Sequence, residues 1–90
     1  MIERQIEIVN RLGLHARAAA KLVHLASSFA CRVSVILAGE EVDAKSILSV
    51  LTLGVSSGAE IEVSAEGDDA EAALAAIREA VESGLGEDPG

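Results

Sequence analysis

Ninety residues, half of them apolar, make one domain with one modest core, and exclude both a second domain and a disordered chain. Phe29 is the one aromatic residue, which excludes a nucleic-acid surface built on base stacking. Cys31 is the one cysteine, so no internal disulfide forms and a reducing compartment is expected.

The net charge of −8 is unevenly spread. Residues 66–90 hold eight acids against Arg78 alone, whereas residues 8–39 hold none. That acid-free stretch carries Arg11, Arg17, Lys21, Arg32, His15 and His24. Two readings stand: a local site for an anion or an acidic partner, or an uneven surface and nothing more. No apolar run reaches ~18 residues, so no membrane insertion is expected. The start Met1-Ile2-Glu3-Arg4 lacks the order of a signal peptide, and a cytoplasmic protein is expected.

In chain order, residues 2–8 alternate Ile2, Ile6 and Ile8 against Glu3, Gln5 and Glu7, the pattern of a half-buried strand. Asn10-Arg11-Leu12-Gly13 reads as a turn. Over residues 16–27 the period changes. Ala19, Leu22, Val23 and Ala26 form an apolar stripe, while Arg17, Lys21, His24 and Ser28 form a wet one, so an amphipathic helix starts just after His15. Residues 32–37 predict a second strand and residues 41–44 a third. Ser46 is placed to cap a short helix over 47–53, which Gly54 ends. Residues 60–65 alternate again as a fourth strand. Asp68 with Glu71 resembles a capping box for a last helix with Ala70, Ala73, Leu74, Ile77 and Val81 facing the core. Gly84 closes it, and residues 85–90 are expected to be a flexible acidic tail after a domain of residues 1–84. The order β-α-β-β-α-β-α predicts an α+β sandwich, one sheet covered on one face.

His15 is the main candidate for chemistry. The first N–H groups of a helix lack internal partners, and its dipole adds about half a positive charge there. An anion on this imidazole would meet those N–H groups and Arg17. The same field lowers the expected pKa and favours the neutral, nucleophilic ring. The plain alternative is a surface histidine near a cap. His24, on the wet stripe, reads as a solvated histidine. A metal site of His15, His24 and Cys31 fails on spacing, because nine residues of helix span about 13 Å. Ser46 is explained by capping, with which a regulatory role is compatible. Ile47, Leu48, Val50, Leu51 and Leu53 are too many apolar residues for one short helix to bury. Some of them therefore form either a docking patch or part of a core poor in aromatics. Cys31 reads as a buried small residue.

Two motifs carry a resemblance. Gly13-Leu14-His15-Ala16-Arg17 resembles the active-site motif of HPr, the histidine-containing phosphocarrier family of the bacterial phosphotransferase system. Ala44-Lys45-Ser46-Ile47-Leu48 and Leu51-Thr52-Leu53-Gly54 resemble its second signature. The similarity covers about residues 2–84, in the same element order. It implies an open-faced β-sandwich, with an antiparallel sheet of order 1-4-2-3 under three helices, and a monomer without cofactor. It implies a phosphocarrier rather than an enzyme. Enzyme I, charged from phosphoenolpyruvate, would phosphorylate Nδ1 of His15, and enzyme IIA domains in sugar uptake would take the phosphoryl group. Arg17 would stabilise the phosphoryl group. Ser46 would be the site of a serine kinase and its phosphorylase, and Ile47, Leu48 and Leu51 would dock partners. A regulatory carrier of the nitrogen-related branch, and an unphosphorylated ligand-sensing domain, are the alternatives. One departure is clear: the family usually has proline after the arginine, and this chain has Ala18.

Overall fold

The computed structural model describes residues 1–9 and 12–85. Its elements are β1 (Ile2–Glu7), α1 (Ala16–Ser27), β2 (Arg32–Leu37), β3 (Glu40–Asp43), α2 (Ile47–Leu53), β4 (Glu60–Glu66) and α3 (Ala70–Glu82). The strands form one antiparallel sheet in the order β1-β4-β2-β3. Ile2 pairs with Ala65 and Ile6 with Ile61, while Val33 pairs with Ala65 and Val35 with Val63. These registers put Ile6, Ile61, Val63, Ala65, Val33 and Val35 on the covered face, and all six are buried. A one-residue slip in any pair would turn a whole strand's apolar set outward, so burial fixes the register. α3 lies on β1 and β4, α1 packs between α3 and α2, and α2 meets β3. No described helix is long and apolar enough to cross a membrane.

Pairing runs one residue beyond β1. The Ile8 N–H donates to the Ala59 carbonyl at 2.9 Å, and the Gly58 N–H donates to the Ile8 carbonyl at 2.8 Å. This explains why Ile8 is fully buried, as its alternation predicts. The turn expected over residues 10–13 lies partly outside the described residues, as does the tail from residue 86.

Leu85 is a correction at the tail boundary: it is buried rather than loose. Past the cap residue Ser83, Gly84 takes a positive φ of 82° and Leu85 one of 54°. The Gly84 N–H donates to the Val81 carbonyl at 3.0 Å and the Leu85 N–H to the Ala80 carbonyl at 2.8 Å. This paired closure satisfies the last carbonyls of α3 and returns the leucine to the core.

The capping box expected at Asp68 and Glu71 is also corrected. Asp69 is the cap residue of α3 and makes no side-chain hydrogen bond to its own helix. Its Oδ2 accepts the Ala30 N–H and its Oδ1 the Cys31 N–H, both at 2.9 Å. The carboxylate is committed to the loop leaving α1, whose amides have no ladder partner. These bonds, the one from Ala30 first and then that from the Cys31 thiol, hold the Asp69 carboxyl below its ordinary value. Burial, and next the bond to Asp69, push the Cys31 thiol up, so the cysteine is an inert core group.

A carboxyl depressed on folding contributes stability above its unfolded value, near 3.8, and loses it as pH falls through the folded value. Asp69→Asn is therefore expected to lower the melting temperature by several degrees at pH 7, because the amide keeps one acceptor oxygen of two. The gap between the two proteins should close in melts taken below that pH. An equal gap throughout would mean that the ionised form carries no weight.

The uncovered face of the sheet is acidic. Glu3, Gln5, Glu62, Ile36, Glu41 and Asp43 project from it around Ser34 and Ser64, which face each other at its centre. A hydrogen bond with Glu3, then partial desolvation and the charges of Glu3 and Glu41, raise the Glu62 carboxyl. Its sign is opposite to that of Asp69: acidification relieves this cluster.

Candidate functional site

Gly13 lies between the end of β1 and the start of α1, and it must be glycine. Its φ is +66°, and a Cβ would come within 2.5 Å of the Val55 carbonyl oxygen. That close approach lets the Leu14 N–H donate to the same oxygen at 3.0 Å while the Leu14 side chain is buried. The loop is thus pinned to the segment just after α2, and the next residue, His15, is delivered to the start of α1.

His15 is itself the N-cap. Its backbone is extended (φ −75°, ψ −179°), and its carbonyl accepts the Ala19 N–H at 2.8 Å. Its Nδ1 accepts the Arg17 N–H at 3.3 Å. An accepting Nδ1 carries its lone pair, not a proton, and this lone pair faces the positive end of the helix. The imidazole is half-buried and the Arg17 side chain is exposed. Among the described residues, no carboxylate lies within ion-pair distance of Arg17; the one ion pair found there joins Arg78 to Glu82 on α3, at 3.1 Å. Imidazole nitrogen and helix start therefore meet at the rim of the domain, with the exposed side chain of Arg17 two residues on. The arrangement can take up a group that is electrophilic at its centre and anionic at its periphery. His24, about two turns further along α1, is exposed and belongs to a different part of the surface.

Ala18 is fully buried, which the apolar stripe read from the sequence left out. Its N–H has no acceptor among the described residues, because the first closed turn of α1 begins at Ala19. Ala18→Pro removes that donor at a helical φ and narrows the unfolded ensemble. A stability gain of ~0.4–1 kcal/mol is expected in thermal melts. A large loss would mean that the ring does not fit beside Leu14.

Ser46 caps α2 as its position predicts: its backbone is extended, its Oγ accepts the Ser49 N–H at 3.4 Å, and its carbonyl accepts the Val50 N–H at 3.1 Å. Lys45 points elsewhere. Its Nζ donates to the Phe29 carbonyl at 2.8 Å, closing the loop beyond α1. His15 lies near the C-terminal end of α2, through the Leu14–Val55 bond, and Ser46 lies at its N-terminal end. A helix of seven residues is about 10 Å long, so the two side chains bracket α2.

The side chains of α2 divide as too many apolar residues on one turn must. Val50 is buried and Leu51 half-buried, whereas Ile47 is 36% and Leu48 74% exposed. Leu12, in the loop before His15, is 71% exposed. A leucine beside a turn glycine has no period to betray which way it faces.

The family model described as "PTS HPr component phosphorylation site" matches residues 2–83. A phosphocarrier protein HPr from Xylella fastidiosa is 42% identical over 98% of this chain and 99% of its own. A phosphocarrier protein NPr from Shewanella violacea is 45% identical over 84% of each chain. The crystal structure of an HPr from Thermoanaerobacter tengcongensis superposes with a TM-score of 0.94 at 46% identity, covering 98% of this chain and 99% of the other. Two motifs in register, a half-buried histidine seated on a helix start, the sheet order and these likenesses agree, and the chain belongs to the HPr family of phosphocarrier proteins, which carry a phosphoryl group and are not enzymes.

Proposed function

We propose that His15 accepts a phosphoryl group from enzyme I, itself charged from phosphoenolpyruvate, and passes it to an enzyme IIA domain in the cytoplasm. The observation that carries this reading is the Nδ1 lone pair held at the start of α1. In the transfer the Nδ1–phosphorus bond forms, and the bond from phosphorus to its donor breaks with its electron pair leaving on the donor. Nδ1 then no longer accepts the Arg17 N–H, and the phosphoryl oxygens replace it as acceptors. The exposed guanidinium of Arg17 neutralises part of their charge. Because the helix supplies these donors already oriented, little reorganisation accompanies transfer in either direction, which suits a carrier.

Incubation with enzyme I and labelled phosphoenolpyruvate tests the reading. A label that is acid-labile and alkali-stable is expected. No label would instead favour an unphosphorylated ligand-sensing domain. The acceptor distinguishes two branches. Sugar-specific IIA domains are the expected acceptors, and the likeness to an NPr favours the nitrogen-related branch as the second reading. Relative transfer rates to the two kinds of IIA domain decide between them.

Ile47, Leu48 and Leu51 form the surface on which partners dock in this reading, with Arg17 and Lys21 as a basic rim for an acidic partner surface. Ser46 is the site of a serine kinase and its phosphorylase. A phosphate there meets the positive end of α2, so the fold tolerates it. Lys45 adds little, since its ammonium is bonded to Phe29. Ser46→Asp should keep its melting temperature within a few degrees yet lose tenfold or more in the initial rate of His15 phosphorylation, a coupling of about 1.4 kcal/mol or more. Ser46→Ala should lose ~1 kcal/mol of stability with transfer nearly intact. Equal rates for Ser46→Asp and the parent would leave Ser46 as a cap alone.

A further inference from the structure

The first turn of α1 contains a donor with no acceptor among the described residues. Ala16 and Arg17 are exposed, so their amides are open to water, and the Arg17 N–H already meets His15 Nδ1. The Ala19 N–H is closed on the His15 carbonyl. Between them, Ala18 has 0% exposure, and its N–H has no acceptor among the described residues. Folded proteins leave very few sealed amides without an acceptor, and those that remain call for an explanation.

Two independent observations supply one here. Ala18 is the third residue of α1, and an N-cap side chain accepts from the second or third amide of its helix. That side chain is the imidazole of His15, in a chain whose family model is described as a phosphorylation site.

We propose that the Ala18 N–H is a ligand of the phosphoryl group on His15, so that this chain grips the phosphoryl group with one amide more than a proline at position 18 would allow. The inference rests on the reading of His15 as the phosphoryl acceptor. Before transfer, Nδ1 accepts the Arg17 N–H. After transfer, three phosphoryl oxygens extend over the first turn where one nitrogen stood, enough acceptors for both the Arg17 and the Ala18 amides. The acceptor that the described residues do not supply is thus delivered by the cargo.

The test needs no partner protein. Phosphoramidate modifies His15 directly: its phosphorus–nitrogen bond breaks, ammonia leaves, and the Nδ1–phosphorus bond forms. In 1H–15N spectra of the full chain, the Ala18 amide should move downfield on modification. The shift should follow the second ionisation of the phosphoryl group, near pH ~6, and the amide should exchange more slowly. Ala18→Ser, which keeps the N–H, should retain the stabilisation that phosphorylation gives against thermal unfolding. Ala18→Pro should lose part of it, and in exchange with a common phosphoryl donor its equilibrium should lie about three- to tenfold towards the unphosphorylated form. A phosphorylated protein whose Ala18 amide neither moves nor titrates would overturn this inference and leave the proposed function standing. A His15 that takes no phosphoryl group from the reagent would overturn both.

Discussion

His15→Ala is expected to take up no phosphoryl group from enzyme I, while His24→Ala takes it up at close to the parental rate. Both histidines belong to α1 or its cap, so composition and the local basic charge do not separate them; geometry does. Nδ1 of His15 accepts from the helix start, where the peptide dipoles concentrate about half a positive charge. His24 stands in the last turn, where the dipole has the opposite sign and the nearest free backbone groups are carbonyls. An incoming phosphoryl group with negative oxygens is attracted to the first and repelled by the second. Removing the imidazole leaves no nucleophile at the site, so the loss should be complete rather than graded. The measurement is labelled uptake by the three proteins at equal concentration, with melts to show that each is folded. Parental labelling of His15→Ala would show that another residue accepts the group.

Gly13→Ala should have the second largest effect, and it acts through position rather than chemistry. Alanine at a φ of +66° costs about 1–2 kcal/mol by itself. Its Cβ would also lie 2.5 Å from the Val55 carbonyl oxygen and 3.0 Å from two backbone atoms of Ser56. Backbone cannot swing aside as a flexible side chain does, so the loop must lift away from residues 55 and 56. That lengthens the Leu14–Val55 hydrogen bond and withdraws Leu14 from the core. A total loss of roughly 2–4 kcal/mol is expected, which for a domain of this size lowers the melting temperature by roughly 10–25 °C. Because His15 is two residues on, phosphorylation should slow even at temperatures where the variant is folded. A fold of unchanged stability would show that the approach of this loop to residue 55 is not a tight one.

The elements were legible because their periods were clean. The alternation of β1 and β4 and the helical stripe from Ala19 to Ala26 each admit one assignment, and the positions of Gly54 and Gly84 mark two helix ends. The sheet order was not legible from periodicity; it came with the resemblance, since alternation says which face a strand buries but not which strand lies beside it. What escaped was tertiary. Asp69 was hidden because a carboxylate before a helix is ordinarily a cap, and only the folded chain brings the amides of Ala30 and Cys31 to it. Leu85 was hidden because a glycine at a helix end reads as a stop, although glycine followed by leucine is also how such an end folds back onto the core. Ala18 was hidden because alanine scarcely distinguishes a buried position from an exposed one. At the site, the histidine and its place before a helix were legible; that its Nδ1 meets the Arg17 amide was not, because a sequence does not specify a ring's rotamer.

The placement of β4 between β1 and β2 has a kinetic consequence. Residue 2 pairs with residue 65, so the first strand made during synthesis stays without a neighbour until nearly three quarters of the chain exists. β2 and β3 form a local hairpin and can close early, but β4, one of the two inner strands of the finished sheet, is the last strand to emerge. Loop-closure entropy must be met before the β1–β4 ladder returns any enthalpy, which places folding on the order of milliseconds to seconds rather than microseconds. A truncation ahead of residue 60 would remove the strand to which β1 and β2 are both bonded, and so would yield no partial sheet holding β1. The Leu14 N–H bonds to the carbonyl of Val55, just before β4, so His15 reaches its place only after more than half of the chain exists.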